Sequence, residues 1–223
     1  MEPVIHIIDD DTSFRTALGR LVETYGFRVN SYESGADFLA RLPKSEAGCI
    51  LLDLRMPGLS GTELQHRLAQ TFPLLPIVFL TGQGTIATSV QAMKAGADDF
   101  LEKPISSQVL REVIERALAR NEKRRSGHDQ IQALQAKVSN LTPRETQVFD
   151  LVVRGNRNKQ IAYHMNTSER TIKAHRHRIM EKLGVTSLAE MVSIAERLGP
   201  VRATPAASNP TPAPSPKANI QQR

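Results

Sequence analysis

The sequence contains very little cysteine and no long apolar segment. Cys49 is the single cysteine among 223 residues, which excludes an internal disulfide and favours a reducing, cytoplasmic location. No apolar run approaches the roughly 20 residues that a transmembrane helix needs. The chain opens on a strand-like segment rather than a signal peptide. With 40% hydrophobic and 23% charged residues, it has the composition of a globular protein, and no membrane partner is expected.

The net charge of +6 is unevenly distributed along the chain. Residues 1–120 contain 12 Lys and Arg against 15 Asp and Glu, whereas residues 121–223 contain 17 against 8. The length allows two small domains. An acidic first half and a basic second half predict two domains with different partners, and nucleic acid is the leading candidate partner of the basic half.

Five short apolar runs alternate with five helical patterns in the first half. The predicted strands cover 4–8, 27–32, 50–53, 76–80 and 100–102, and the predicted helices cover 13–25, 35–42, 61–72, 86–95 and 106–120. This alternation predicts a parallel sheet with helices on both faces. The fold class expected for this half is therefore α/β.

Polar side chains stand where the predicted strands end. They are either acidic or able to bind an anion, namely Asp9, Asp10, Asp53, Thr81 and Lys103. Parallel strands bring their carboxyl ends to one edge of a sheet, where open α/β sheets hold ligands. Crowded carboxylates repel one another, so they either hold protons or share a cation. An all-oxygen site suits Mg²⁺, while a lysine and a hydroxyl suit phosphoryl oxygens. The pattern predicts that Asp53 is a nucleophile that accepts a phosphoryl group.

Asp53 has two other interpretations. Aspartate often opens a turn, and Pro57-Gly58 follows closely. An aspartyl-phosphate phosphatase is the enzymatic alternative, but such hydrolases usually carry a second aspartate, as general acid, two residues after the nucleophile. Arg55 occupies that position. A long-lived phosphorylated state is therefore favoured over turnover, and the chain is not expected to be an enzyme.

Four motifs of the first half resemble the receiver domain of two-component response regulators. They are the acidic pair, the segment LLDLRMPGLSG around Asp53, the Thr81-Gly82 pair and the Lys103-Pro104 pair. The resemblance covers roughly residues 1–120 and keeps the order and spacing of the family. It implies the flavodoxin-like (βα)5 fold of receiver domains for this half.

This resemblance assigns a role to each pocket residue. It implies that Asp53 is the phosphoacceptor, and that Mg²⁺ is held by Asp9, Asp10, Asp53 and the backbone carbonyl of Arg55. It implies further that Thr81 hydrogen-bonds the phosphoryl group and that Lys103 pairs with it. Phe100 stands where the family has a switch aromatic, which turns inward when the threonine moves.

A helix-turn-helix pattern follows a polar connecting segment. Residues 121–140 have three apolar positions at helical spacing, which favours a solvated linker helix over a helical dimer seam. Ser126-Gly127 is the candidate position for a break in that helix. Thr142, Pro143 and Glu145 then form a capping box with proline at the first helical position. A short helix over 158–165, a turn and a basic helix over 168–182 predict a helix-turn-helix.

The basic helix separates into two faces at about 100° per residue. Ile172, Ile179 and Leu183 share the inward stripe. The opposite face carries donors around one small residue, namely Arg170, Lys173, Ala174, His177 and Arg178. Such a face can sit deep in a major groove. The alternative is that these basic residues only solvate an exposed helix and bind no DNA.

The motifs LTPRE, NKQIA and SERTIKAHRHRIMEKLGV resemble the LuxR-type helix-turn-helix over roughly residues 137–199. The resemblance implies four helices, of which the last, over 187–198, is often a dimer contact on DNA. It implies base contacts by Lys173, Ala174 and His177, and phosphate contacts by Asn158, Lys159, Arg170, Thr171 and Arg178. His177 stands where Lys or Arg is common, which predicts pH-sensitive affinity near neutrality.

The two halves together resemble the NarL/FixJ response regulators. The segments DLRMPGLSG, TGQG, AMKAGADDFLEKP and NKQIA look most like the FixJ branch. The expected organisation is a receiver domain over 1–120, a helical linker over 121–140, an all-α four-helix DNA-binding domain over 141–199 and a disordered tail over 200–223.

The resemblance implies a complete signalling function. A sensor histidine kinase would phosphorylate Asp53, and the protein would then dimerise through its receiver and bind promoter DNA. The expected output is regulation of transcription, with activation through RNA polymerase as the favoured form. The alternative is a constitutive DNA-binding regulator whose receiver is a vestigial oligomerisation module, and the intact pocket positions argue against it.

Overall fold

The structure, a computed structural model, describes residues 2–43, 47–82 and 86–199, with the backbone alone for residues 86–88. The chain divides into two compact units, Met1–Gln130 and Ile131–Arg223. The predicted disordered tail and the last two residues of the TGQG segment, Gln83 and Gly84, lie outside the described residues. Within the described ranges, every helix is too short or too polar to cross a membrane.

The first unit is built on a five-stranded parallel sheet with the strand order β2-β1-β3-β4-β5. Its strands are β1 Val4–Ile8, β2 Arg28–Tyr32, β3 Gly48–Asp53, β4 Ile77–Thr81 and β5 Asp99–Glu102. Its helices are α1 Thr12–Thr24, α2 Gly35–Ala40, α3 Gly61–Thr71, α4 Ile86–Lys94 and α5 Ser107–Ser139. The strand order reverses beside β1, so the carboxyl ends of β1 and β3 flank the crevice where such sheets bind ligands.

Each face of the sheet is covered by its own apolar cluster. Leu52 and Phe79 pack with Phe38 and Leu64 on one face, whereas Ile7 and Leu51 belong to the cluster on the other. All six residues of β3 are buried, because a central parallel strand is enclosed by helices on both sides. This enclosure explains why the run before Asp53 is uniformly apolar rather than alternating.

Local sequence signals set the starts of the helices. Ser60 caps α3 and forms a capping box with Glu63. Asp11 caps α1 by accepting hydrogen bonds from the Ser13 and Phe14 amides. The described strands and helices of this unit agree with the predicted ones to within two residues, except at the end of α5.

Helix α5 is a single 33-residue helix that passes through Ser126-Gly127 without a break. Asn121 is buried on it, and its side chain bonds the Gly48 amide at 3.0 Å and the Leu74 carbonyl at 2.8 Å. Arg124 donates twice to the Asp98 carboxylate, at 3.1 and 2.8 Å. The segment predicted as the start of the linker is therefore attached to the sheet of the first unit.

The second unit contains four further helices around one apolar core. They are α6 Pro143–Val153, α7 Asn158–His164, α8 Glu169–Leu183 and α9 Leu188–Leu198. The predicted inward stripe of α8 is buried in that core with Val148, Phe149 and Ile161. The end of α5 joins this core through Leu134 and Val138, which are partly buried against it. These two contacts favour a packed linker over an exposed dimer seam.

Candidate functional site

The carboxyl edge of the sheet brings three of the predicted pocket residues into direct contact. The Lys103 ammonium donates to Asp9 Oδ2 at 2.7 Å and to Asp53 Oδ1 at 2.9 Å. Both carboxylates are almost completely buried, at 1% and 6% exposure. A single ammonium therefore bridges two carboxylates that come from different strands.

The position of Asp53 is determined by its backbone surroundings. The Arg55 amide donates to Asp53 Oδ2 at 2.9 Å, so both carboxylate oxygens are engaged. Gly61, the first residue of α3, lies so close that a Cβ at this position would collide with the Asp53 carbonyl oxygen. Only glycine lets α3 approach the end of β3 in this way.

Burial and charge act against each other in this pocket. Burial raises the pKa of Asp9 above its ordinary value, although the Lys103 ammonium opposes that shift. Burial also acts to lower the pKa of Lys103, but its bonds to Asp9 and Asp53 outweigh it and raise that pKa. Lys103 is thus held as an ammonium between the two aspartates, and an ammonium forms strong charge-assisted hydrogen bonds with anionic oxygens.

The other predicted pocket residues lie at the same edge. Thr81 ends β4 and is 1% exposed, and its carbonyl oxygen accepts from the Lys103 amide at 2.7 Å. Asp10 follows β1 and is exposed. Phe100 pairs with Phe79 across β4 and β5, and its side chain is partly buried against the cluster on that face.

The carboxylates at this edge fit a magnesium ion that keeps part of its water shell. Mg²⁺ is commonly bound through one or two carboxylates together with water and phosphate oxygens. Asp9 and Asp53 supply a buried pair, and Asp10, the next residue after Asp9, is exposed. Among the residues that the structure describes, no group of three or more His, Cys, Asp or Glu side chains is close enough to form a metal cluster.

One neighbour of the pocket was not predicted from the sequence. The Phe14 ring lies under the Lys103 ammonium, with 4.0 Å between Nζ and the ring centroid. The sequence pattern predicts only that Phe14 is on the inward side of α1. A contact between two residues so far apart in the chain leaves no mark on local periodicity.

The exposed face of α8 carries the predicted base-contacting residues. Lys173, Ala174 and His177 are exposed, on the side opposite the buried stripe. Arg170, Thr171 and Arg178 are exposed on the same helix, so donors surround one small side chain. His177 Nε2 lies 3.5 Å from Glu181 Oε1, a carboxylate one turn further along.

The predicted phosphate contacts of α7 lie in different surroundings. Lys159 is exposed, whereas Asn158 is partly buried and its side-chain oxygen accepts from Arg176 at 2.7 Å. Arg176 was not predicted as a functional residue, because its position on α8 belongs to neither the inward nor the outward face. Its bond to Asn158 joins the two helices of the helix-turn-helix.

The two ends of α8 are held by polar contacts. Ser168 caps its start by accepting from the Thr171 amide at 3.1 Å. At the other end, Lys182 donates to Glu145 at 2.6 Å and Lys137 donates to the Leu183 carbonyl at 3.0 Å. Glu145 also accepts from the Thr142 amide in the predicted capping box. One carboxylate therefore stabilises the start of α6 and positions α8.

Comparison with known proteins agrees with both halves of this geometry. Residues 5–115 match the response regulator receiver domain, and residues 139–195 match the bacterial regulatory proteins of the luxR family. The response regulator protein TmoT of Ectopseudomonas mendocina is 41% identical over 197 residues, which cover 88% of this chain and 90% of that relative.

Two further relatives share the two-domain organisation. The transcriptional regulatory protein FixJ of Bradyrhizobium diazoefficiens is 40% identical over 195 residues, covering 87% of this chain and 95% of FixJ. The solved structure of the response regulator StyR is 43% identical with a TM-score of 0.77, covering 88% of this chain and 100% of that one.

These relatives are transcriptional regulators rather than enzymes, which agrees with the absence of a general acid two residues after Asp53. The flavodoxin-like receiver and the four-helix LuxR-type domain both appear in the predicted order. This chain belongs to the NarL/FixJ family of response regulators, and it combines a receiver domain with a LuxR-type DNA-binding domain to regulate transcription.

Proposed function

We propose that a sensor histidine kinase transfers a phosphoryl group to Asp53. A carboxylate oxygen of Asp53 attacks phosphorus while the bond to the donor's histidine nitrogen breaks, and an acyl phosphate forms on this chain. The observation that supports this assignment is the Lys103 ammonium, which bridges Asp9 and Asp53 at 2.7 and 2.9 Å. It can neutralise the charge that the phosphoryl group brings.

Asp9, Asp10, Asp53 and the Arg55 carbonyl would hold Mg²⁺ in this reaction. The metal would bind phosphoryl oxygens and reduce the repulsion between them and the carboxylates. Lys103 holds Asp9 and Asp53 in place through its two hydrogen bonds. Thr81 would donate its hydroxyl hydrogen to a phosphoryl oxygen that lies between the ends of β3 and β4.

Movement of Thr81 toward the phosphoryl group would reach the surface through Phe100. The two residues lie on neighbouring strands that pair at Thr81 and Glu102. Phe100 is only partly buried, so it can turn further inward and allow α4 and β5 to reorganise. A local change of charge would thereby bias a two-state element and expose a surface for receiver dimerisation.

The output domain would bind promoter DNA through α8. Lys173, Ala174 and His177 would contact bases, while Lys159, Arg170, Thr171 and Arg178 would contact phosphates, with Asn158 next to them. A phosphorylated homodimer would place two such helices one turn of DNA apart on a near-palindromic site. RNA polymerase is the expected further partner at the promoter, and the bacterial cytoplasm is the expected location.

The phosphoacceptor can be tested directly with acetyl phosphate and Mg²⁺. We expect intact-mass spectrometry to detect one added phosphoryl group on the wild-type protein and none on Asp53→Asn. Asp99→Asn is a matched control, because Asp99 pairs with Arg116 outside the pocket, and it should be phosphorylated like the wild type. Phosphorylation that persists in Asp53→Asn would move the acceptor to another residue.

Dimerisation is tested by gel filtration of the wild-type protein with and without the phosphoryl donor. An earlier elution volume is expected only after phosphorylation, and Asp53→Asn should elute at one position under both conditions. An unchanged wild-type elution volume would contradict the receiver dimer and favour a constitutive DNA-binding regulator.

A further inference from the structure

The first turn of α1 places an aromatic ring at the edge of the phosphorylation pocket. Asp11 accepts from the amides of Ser13 at 2.8 Å and Phe14 at 3.0 Å, and its own amide donates to Asp9 Oδ1 at 3.0 Å. The capping residue is therefore tied to a pocket carboxylate. This connection fixes the start of α1, and with it Phe14, relative to the carboxyl end of β1.

The Phe14 ring completes the surroundings of the Lys103 ammonium. Two N–H groups point to Asp9 and Asp53, and the ring centroid lies 4.0 Å from Nζ. The side chain of Lys103 is only 19% exposed. Phe14 itself is partly buried and packs on the apolar cluster below. The ring is thus a third neighbour of the ammonium, beside the two carboxylates.

We propose that Phe14 is a positioning residue for the phosphotransfer reaction, acting through Lys103. This inference rests on the proposed role of Asp53. The ring holds the ammonium between the carboxylates by cation–π attraction, so that Lys103 can exchange its bond to Asp53 for a bond to a phosphoryl oxygen without leaving the pocket.

The ring suits this task better than a third carboxylate would. An ammonium has three N–H donors and no acceptor, and two donors are already used in the pocket. Attraction to a ring face depends on the position of the charge and needs no particular N–H direction. The ammonium can therefore rotate while it stays over the ring. A further carboxylate would instead compete with the phosphoryl group for the same donors.

The contact can be observed in the unphosphorylated full-length protein by NMR. Protons on Lys103 Cε should be shifted upfield by the ring current of Phe14, and the signal can be assigned by its loss in Lys103→Arg. We expect the upfield shift to persist in Phe14→Tyr and to disappear in Phe14→Leu and in Phe14→Met. Phe27→Leu is the matched control, because Phe27 is partly buried in the same cluster. An unshifted Lys103 signal in the wild type would overturn the proposal.

The functional consequence is tested by the rate of phosphorylation from acetyl phosphate and Mg²⁺. A cation–π contact contributes about 0.5 to 2 kcal/mol, so Phe14→Leu and Phe14→Met should react between about twofold and about thirtyfold more slowly. Phe14→Tyr should stay within about twofold of the wild type, and Phe27→Leu should react at the wild-type rate. Thermal unfolding of all variants shows which of them are folded.

The outcomes separate this inference from the proposed function. If Phe14→Leu and Phe14→Met react at the wild-type rate, or if Phe27→Leu is slowed equally, Phe14 has no positioning role. If the wild type is not phosphorylated on Asp53, the proposed function is refuted. The NMR shift of Lys103 still decides, independently, whether the ring holds this ammonium.

Discussion

Replacing Asn121 by alanine should destabilise the first unit, although this residue lies in the segment predicted as linker. Asn121 is 3% exposed. Its side-chain oxygen accepts from the Gly48 amide at 3.0 Å, and its side-chain nitrogen donates to the Leu74 carbonyl at 2.8 Å. Both partners are backbone groups at the amino edge of the sheet. The substitution leaves a buried N–H without its acceptor, which costs about 1–3 kcal/mol, and removes a second bond worth about 1 kcal/mol. The expected loss in the free energy of unfolding is about 2–4 kcal/mol.

Two measurements check this prediction. Urea denaturation should give a lower midpoint for Asn121→Ala, and NMR-detected hydrogen exchange should show faster exchange of the Gly48 amide. Glu122→Ala is the control on the next, exposed position of α5, and surface changes of this kind stay within about 0.5 kcal/mol. If Asn121→Ala is as stable as Glu122→Ala, the early linker segment is not part of the receiver fold.

Three further predictions follow from buried or exposed charges. Burial lowers the pKa of His6 to about 4, so as pH falls the unfolded chain binds the proton before the folded chain does. The free energy of unfolding of the first unit should therefore decrease by up to about 3 kcal/mol as pH falls from about 6.5 to 4. In chemical denaturation, His6→Leu should make this pH dependence flatter. The Lys182 ammonium and the capping bond lower the pKa of Glu145 to about 2. Glu145→Gln should therefore lower the free energy of unfolding of the second unit by about 1–2 kcal/mol at neutral pH. This difference between variant and wild type should vanish as pH falls from about 4.5 to 2. Lys173→Ala should reduce the difference in binding free energy between a selected DNA site and random DNA by about 1–3 kcal/mol. Arg178→Ala should weaken binding to both DNAs about equally, and it should reduce the slope of log affinity against log salt concentration by about 1. A uniform loss for Lys173→Ala would make it a phosphate contact.

The sequence was sufficient to predict the sheet because the strands carry strong local signals. The run before Asp53 is uniformly apolar, and polar pocket residues stand at the carboxyl ends of four of the five predicted strands. Lys103 and Asp53 could therefore be placed together before any distance was known. The contact at 2.9 Å agrees with that prediction.

Contacts between distant residues were beyond the reach of sequence patterns. Nothing in the polar segment after residue 120 distinguishes Asn121, which anchors α5 to the sheet, from its exposed neighbours. The pair Asn158 and Arg176 and the ring of Phe14 under Lys103 are likewise set by tertiary packing. Periodicity describes which face a residue occupies, but it does not describe which partner it meets there.

The close approach of Gly61 to β3 has a consequence for how the receiver can vary. Any side chain at this position would press on the Asp53 carbonyl oxygen and on the Phe79 ring. The movement would pass along the backbone to the carboxylate of Asp53, the proposed phosphoacceptor. Gly61→Ala is thus a way to shift the reactive carboxylate while every charged group of the pocket stays in the sequence. A screen for regulators with altered phosphorylation kinetics can start from this uncharged position on α3.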